Sequence, residues 1–216
     1  MKTIFVTAND TVVGKTWTTR VLAKYLVSKS QSVQVVKSVE TGFEHYPMEG
    51  DSLEAIRGLD KKLATSYTLF NFRAPLAPVT AAHKAGSKIT LNQFIKKLEQ
   101  LPTVDWRIIE GAGGLACPID AAGYDFRDLI NTINIDYLVM VIENRIGAIN
   151  QSRLLDNYAS TISAKRGFWL NSKTPTHAET ENSNIHEISF LKTPIWHVQR
   201  HNVDDFYDTK NIFLEK

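Results

Sequence analysis

Cys117 is the only cysteine in this 216-residue chain, so neither an intramolecular disulfide nor a cysteine-based metal cluster can form. Long apolar runs are also missing. No stretch approaches the roughly 20 residues that span a bilayer, and the apolar start of "MKTIFVTAND" meets an aspartate too early for a signal peptide. Charge of one sign is equally scarce: 25 lysines and arginines face 23 aspartates and glutamates, a formal net charge of +2. The densest basic clusters are pairs, Lys61-Lys62 and Lys96-Lys97. No nucleic-acid partner and no membrane are therefore expected, and the protein is expected to be cytoplasmic. The six histidines are scattered. His197 and His201 lie four apart, but "TPIWHVQRH" opens on proline and β-formers, so a pair of ligands on one helical face is not expected. Cys117 reads as a small buried apolar residue in a loop.

What is present is an ordinary globular composition, 43% hydrophobic and 22% charged, and a length that fits one α/β unit over residues 1–216. Short apolar runs alternate with amphipathic stretches. "KTIFVTA", "VQVVKS", "WRIIE", "DYLVMVIE" and "RGFWLNS" read as strands. "KTWTTRVLAKYLVSK", "GDSLEAIRGL", "LNQFIKKLEQL", "YDFRDLIN" and "GAINQSRLLDNYASTIS" read as helices, and "FRAPLAPVTAAHKAG" as a proline-containing segment. Strands without polar alternation are buried on both faces, which predicts a mostly parallel sheet with helices on both sides. Polar "KTPTHAETENSNIHE", residues 173–187, reads as a mobile loop, and residues 188–216 are the least defined part of the domain.

Ligands on such sheets gather at the carboxyl ends of the strands, so the residues following each strand should share a rim. The first of these, "ANDTVVGKT", ends as a phosphate loop does. Gly14 permits close approach, Lys15 reaches the β and γ phosphates, and Thr16 offers a hydroxyl to Mg²⁺, but Ala8 stands where the general pattern has glycine. Ala8 is tolerated if its backbone stays in a region open to L-residues. The surroundings, strand then loop then helix, are those of P-loop NTPases. Lys37 ends a buried strand and either reaches an anion at the rim or snorkels to solvent. Thr41 lies near it in "VVKSVETG". Glu110, at the tip of "WRIIEGAGG", suits Mg²⁺, which takes one or two carboxylates with phosphate oxygens and water. Asp51 is either a second such acid or a helix N-cap. In "NRIGAINQSRLL", Asn144, Gly147 and Asn150 form either an anion-binding helix entrance or a simple turn and cap.

Taken together, "TANDTVVGKT", "VVKSVETG", "GDSLEA", "IIEGAGGLACPID", "RIGAINQSRLL" and "GFWLNS" resemble the dethiobiotin synthetase family, in consistent order from residue 1 to about Asn171. The resemblance implies a homodimer of P-loop α/β subunits that uses ATP, Mg²⁺ and CO₂ to close a ureido ring on 7,8-diaminononanoate. By position, it implies that Lys37, Lys15 and Thr11 are catalytic. Val12, Val13, Gly14, Lys15, Thr16, Trp17, Glu110, Gly113 and Asn171 would bind the nucleotide, Asn171 at the base. Thr16, Asp51 and Glu110 would hold Mg²⁺, and Lys37, Thr41 and Gly111 would face the reacting end of the substrate. Gly147, Ala148, Ile149 and Asn150 would bind its carboxylate through backbone N–H groups across the dimer interface. The chain departs from the family at Ala8-Asn9, where Gly-Thr is usual, at Val12, Ser38 and Arg145, and in "PIWHVQR", which replaces a Gly-Glu-x-Pro element at the base pocket. GTP and CTP therefore stay open beside ATP. A non-catalytic nucleotide-sensing module on the same fold is the alternative. A partition-type ATPase fits less well, because Asn9 and Asp10 lie where its extra early lysine would fall.

Overall fold

The computed structural model describes residues 1–42, 50–172, 177–201, 203, 206, 212 and 213. Its strands are β1 (Lys2–Ala8), β2 (Val33–Thr41), β3 (Ala64–Phe72), β4 (Trp106–Glu110), β5 (Tyr137–Glu143), β6 (Lys165–Asn171) and β7 (Ile195–Gln199). They form one sheet in the order β3-β2-β4-β1-β5-β6-β7, and every pairing is parallel. The helices are α1 (Lys15–Ser28), α2 (Asp51–Ala55), α3 (Pro78–Lys84), α4 (Leu91–Glu99), α5 (Phe126–Ile133), α6 (Ala148–Tyr158) and α7 (Ala178–Ile188).

The central strands are apolar on both faces because both faces are covered. Phe5, Ile109, Leu138 and Met140 pack with Phe94 of α4, Phe126 and Leu129 of α5, and Leu155 of α6. Their neighbours Ile4, Val6, Ile108 and Val139 pack instead with Val21, Leu22 and Leu26 of α1 and Ala55 of α2. This alternation along parallel strands makes the expected three-layer α/β architecture. From β1 the chain steps outward to β2 and β3, returns through β4, and then builds β5, β6 and β7 on the other side. The reversal falls around β1 and β4, where a crevice opens at the carboxyl ends of the strands.

Three elements differ from the sequence expectations. β3 and β7 occupy the two edges of the sheet, and neither carries the continuous apolar run of a central strand: "ATSYTLFNF" is buried at only three of its nine residues, and "IWHVQ" is half-buried for four of its five residues. The segment 173–187 is not a loop from Ala178 onward. It forms α7, which buries Asn184 and Ile188 and docks on α6, with the Asn184 amide donating to Asn144 Oδ1 at 2.9 Å and to the Arg145 carbonyl at 3.0 Å. Residues 173–176 lie outside the described residues. The apolar pattern of α7 is short, since Ile185 and Ile188 are the helix's residues packed on the core, and its buried amide is held by the connection between β5 and α6.

At the sheet edge, His197 stacks on Trp169 with ring centroids 4.4 Å apart and meets Phe206 at 5.2 Å. Burial against these rings lowers its pKa below the ordinary 6.5. The unfolded chain then binds a proton at a higher pH than the folded one, so this residue's contribution is present above pH 6.5 and lost as the pH falls through the folded value. His197→Gln should flatten the decline of stability below pH 6.5, measured as urea midpoints across the acid range. An unchanged slope would contradict this account of His197.

Candidate active site

Two helix starts at the carboxyl edge of the sheet differ from those of α4 and α5. Helices α4 and α5 begin with complete capping boxes, Thr90 with Gln93 and Asp125 with Asp128. At the carboxyl edge, α1 and α6 begin instead at Gly14 and Gly147, both left-handed and neither supplying a side-chain cap. Uncapped first-turn N–H groups leave the positive end of each helix available to an anion.

Gly14 is needed for two reasons. Its φ is +99°, and a Cβ there would stand 1.8 Å from Asn171 Nδ2. That amide donates to the Val13 carbonyl at 2.9 Å, tying the tip of β6 to the phosphate loop. Ala8, by contrast, is the last residue of β1, with its methyl group fully buried and its carbonyl accepting from Leu115 N at 2.9 Å. It is not among the left-handed residues, so alanine sits there without strain and the missing glycine has no conformational cost. The strained position is Val12, a β-branched residue at φ 57°, a conformation that costs about 1–3 kcal/mol and concentrates at functional loops.

A cleft of about 900 Å³ lies over this loop, and Thr11, Val12, Gly14, Lys15, Thr16, Trp17, Lys37, Thr41, Asp51, Glu110, Gly113 and Asn171 all line it. Both lysines are buried, each with 6% of its surface exposed. Lys37 Nζ donates to Asp51 Oδ2 and to Glu110 Oε1, both at 2.6 Å, so the snorkelling alternative is set aside. Burial disfavours its charge, but Glu110 and Asp51 together outweigh that and raise its pKa, keeping Lys37 an ammonium. Thr16 Oγ1 donates to the same Glu110 oxygen at 2.9 Å, and Ser38 Oγ donates to the Glu110 carbonyl at 2.8 Å. Lys15 Nζ turns back to the Asp10 carbonyl at 2.8 Å. Burial, then the nearby Lys37 charge, lowers its pKa to about 8. A phosphate is the counter-charge that would restore it.

Asp51 is the first residue of α2, whose N-cap is Gly50, so its carboxylate reaches Lys37 rather than capping the helix. The cap comes from Glu40, whose Oε2 accepts from Asp51 N at 3.1 Å. Burial and the neighbouring Asp51 raise the Glu40 pKa to about 7.

Not every expected residue reaches the cleft. Gly111 is buried beneath Phe5, whose ring would lie 3.2 Å from a Cβ there. Val13 is also buried, with its side chain in the core under α1. Gly147, Ala148, Ile149 and Asn150 lie outside the cleft lining; Ala148 is buried in the core, while the surface beside them exposes 83% of Ile146 and 63% of Leu154. Conversely, Glu40, the Pro75–Pro78 turn, Cys117, Arg200 and His201 line the cleft without having been singled out for it. Cys117 is half-buried at the cleft wall rather than hidden in a core. The prolines of "FRAPLAPV" were a usable signal, since X-Pro residues form rigid extended turns next to a strand end.

A family model described as an AAA domain matches residues 2–167. Among curated proteins, the ATP-dependent dethiobiotin synthetase BioD of Hydrogenobaculum sp. (strain Y04AAS1) is 32% identical over 171 residues, covering 78% of this chain and 76% of that protein. The ATP-dependent dethiobiotin synthetase BioD of Bacillus subtilis (strain 168) is 29% identical over 194 residues, covering 88% and 83%. Among solved structures, a ParA family ATPase from Chlorobium tepidum TLS superposes with a TM-score of 0.57 at 16% identity, over 93% of this chain and 84% of that one. The last likeness establishes the P-loop NTPase fold alone.

Proposed function

The chain belongs to the family of ATP-dependent dethiobiotin synthetases, and from that premise we propose how its own residues carry out the ligase reaction. It closes the ureido ring of dethiobiotin from 7,8-diaminononanoate and CO₂ at the expense of a nucleoside triphosphate. One amine captures CO₂ as a carbamate, a carbamate oxygen attacks the γ-phosphorus with loss of the nucleoside diphosphate, and the neighbouring amine displaces phosphate from the carbonyl as the ring closes.

No protein nucleophile is required, so catalysis rests on positioning and on neutralising charge. The observation that carries the assignment is the pair of buried lysines, Lys15 and Lys37, lining one cleft over a helix N-terminus. In this reading Lys15 leaves the Asp10 carbonyl for the β and γ phosphates, and Thr11 and the α1 N–H groups hold them. Lys37 stabilises negative charge on the transferring group and the carbamate. Thr41 contacts the reacting end, and Asn171 faces the base while holding Val13.

The donor set suits Mg²⁺. Glu110 Oε2 is buried without a partner among the described residues, and its other oxygen already gathers the Thr16 hydroxyl and Lys37. Thr16, Asp51 and Glu110 would hold the ion, whose role when bound is to offset charge on the phosphates. Gly147 to Asn150 lie outside the cleft, so a homodimer would bring them to the partner's substrate carboxylate. The exposed Ile146 and Leu154 beside them suit such an interface. No helix among the described residues is long and apolar enough to cross a membrane, which accords with a cytoplasmic enzyme.

The direct test is incubation with 7,8-diaminononanoate, bicarbonate, Mg²⁺ and ATP, GTP or CTP in parallel, reading dethiobiotin and nucleoside diphosphate by mass spectrometry. Product with ATP is expected, and its loss on chelation by EDTA with recovery on added Mg²⁺. Absence of product with every nucleotide would overturn the assignment, and turnover unaffected by EDTA would remove the metal from it.

A further inference from the structure

Three carboxylates surround Lys37, yet only two are paired with it. Asp51 and Glu110 each lie 2.6 Å from its Nζ. Glu40, further along β2, lines the same cleft and is half-buried. Among the described residues it has no ion-pair partner, and its only hydrogen bond is the one it accepts from Asp51 N at 3.1 Å. Lys37 acts on it only through space, in the same environment where Asp51 and Glu110 add like charge.

A half-buried carboxylate that pairs with no cation among the described residues is costly unless a ligand supplies one. On the reading given under Proposed function, the ligand is a diamine whose ammonium groups must approach a site already holding the Lys37 ammonium. Like charges at that range repel, and a carboxylate between them would offset the repulsion. We propose that Glu40 is a specificity-determining residue that receives one ammonium group of the diamine and holds it next to Lys37. The Asp51 N–H fixes Oε2, and the other Glu40 oxygen, which takes no hydrogen bond among the described residues, meets the amine.

A purely structural role would be the α2 cap, and one substitution separates the two roles. Glu40→Gln keeps an acceptor for the Asp51 N–H but removes the charge. The expected result is a KM for the diamine raised about 10-fold or more, the scale of one charge-assisted hydrogen bond, with kcat changing less and the affinity for a non-hydrolysable ATP analogue unchanged. A cap alone predicts a KM within about 2-fold of wild type, and that outcome overturns the proposal. Two monoamine analogues, each lacking one amine, complete the cycle when titrated calorimetrically into both proteins. One of them should bind wild type and Glu40→Gln alike, because it lacks the amine Glu40 receives. Equal weakening of both analogues would instead show a general distortion and overturn the assignment. Should wild type make no dethiobiotin at all, the functional reading itself fails; wild-type turnover with an unmoved Glu40→Gln KM sinks the Glu40 inference alone.

Discussion

Lys37→Ala should lower dethiobiotin formation at least ~100-fold, the scale observed when a charge donor to a transition state is removed, while an ATP analogue still binds. Lys37 joins the tips of β2 and β4 to the start of α2, through its contacts of 2.6 Å with Glu110 and Asp51. Removing it also leaves Glu110 buried without its cation, at a stability cost on the order of 3–5 kcal/mol. Turnover must therefore be read well below the unfolding range, with circular dichroism confirming the fold. Single-turnover kinetics then locate the defect: loss of nucleoside diphosphate formation places Lys37 at phosphoryl transfer. Rates within about 3-fold of wild type would show that Lys37 serves only to hold two carboxylates apart.

Gly14→Ala should weaken nucleotide binding ~100-fold or more, because two costs act together. The backbone at φ +99° is strained for any residue with a Cβ, and that Cβ would overlap Asn171 Nδ2 at 1.8 Å, breaking the hydrogen bond to Val13. The loop and the tip of β6 cannot both keep their places. Ala8→Gly is the matched control. Ala8 lies in β1 with a buried methyl group, so restoring the general glycine pattern should gain no affinity and should lower stability by about 1 kcal/mol. Calorimetry with a non-hydrolysable ATP analogue measures both variants. A Gly14→Ala protein that binds normally would refute this account of the loop.

Some of this was legible in the sequence because it follows from local chemistry. β1, the Gly14-Lys15-Thr16 turn and α1 are contiguous, and a buried strand feeding a helix through glycine announces itself. The rim residues Lys37, Glu110 and Asn171 could be grouped because parallel sheets place strand ends together. The edge strands were harder. β3 and β7 mix Thr, Ser, Asn, His and Gln with apolar residues, and only pairing with β2 and β6 makes them strands. α7 was missed for a related reason, since Asn184 stabilises it through partners about 40 residues away in sequence.

The site shows the same division. That Lys37 and Glu110 end strands is a property of their own segments, but that they meet depends on β2 and β4 pairing with Lys37 opposite Glu110, 73 residues apart. Glu40 stands only three positions from Lys37, yet among the described residues it is Lys37 that pairs with Asp51 while Glu40 takes only the Asp51 N–H. Composition and motif order thus determined the class of fold, the phosphate loop and the family. The tertiary structure alone decided which charges balance one another, because Coulomb energy depends on distance and burial, and neither is encoded in the order of residues along a single strand.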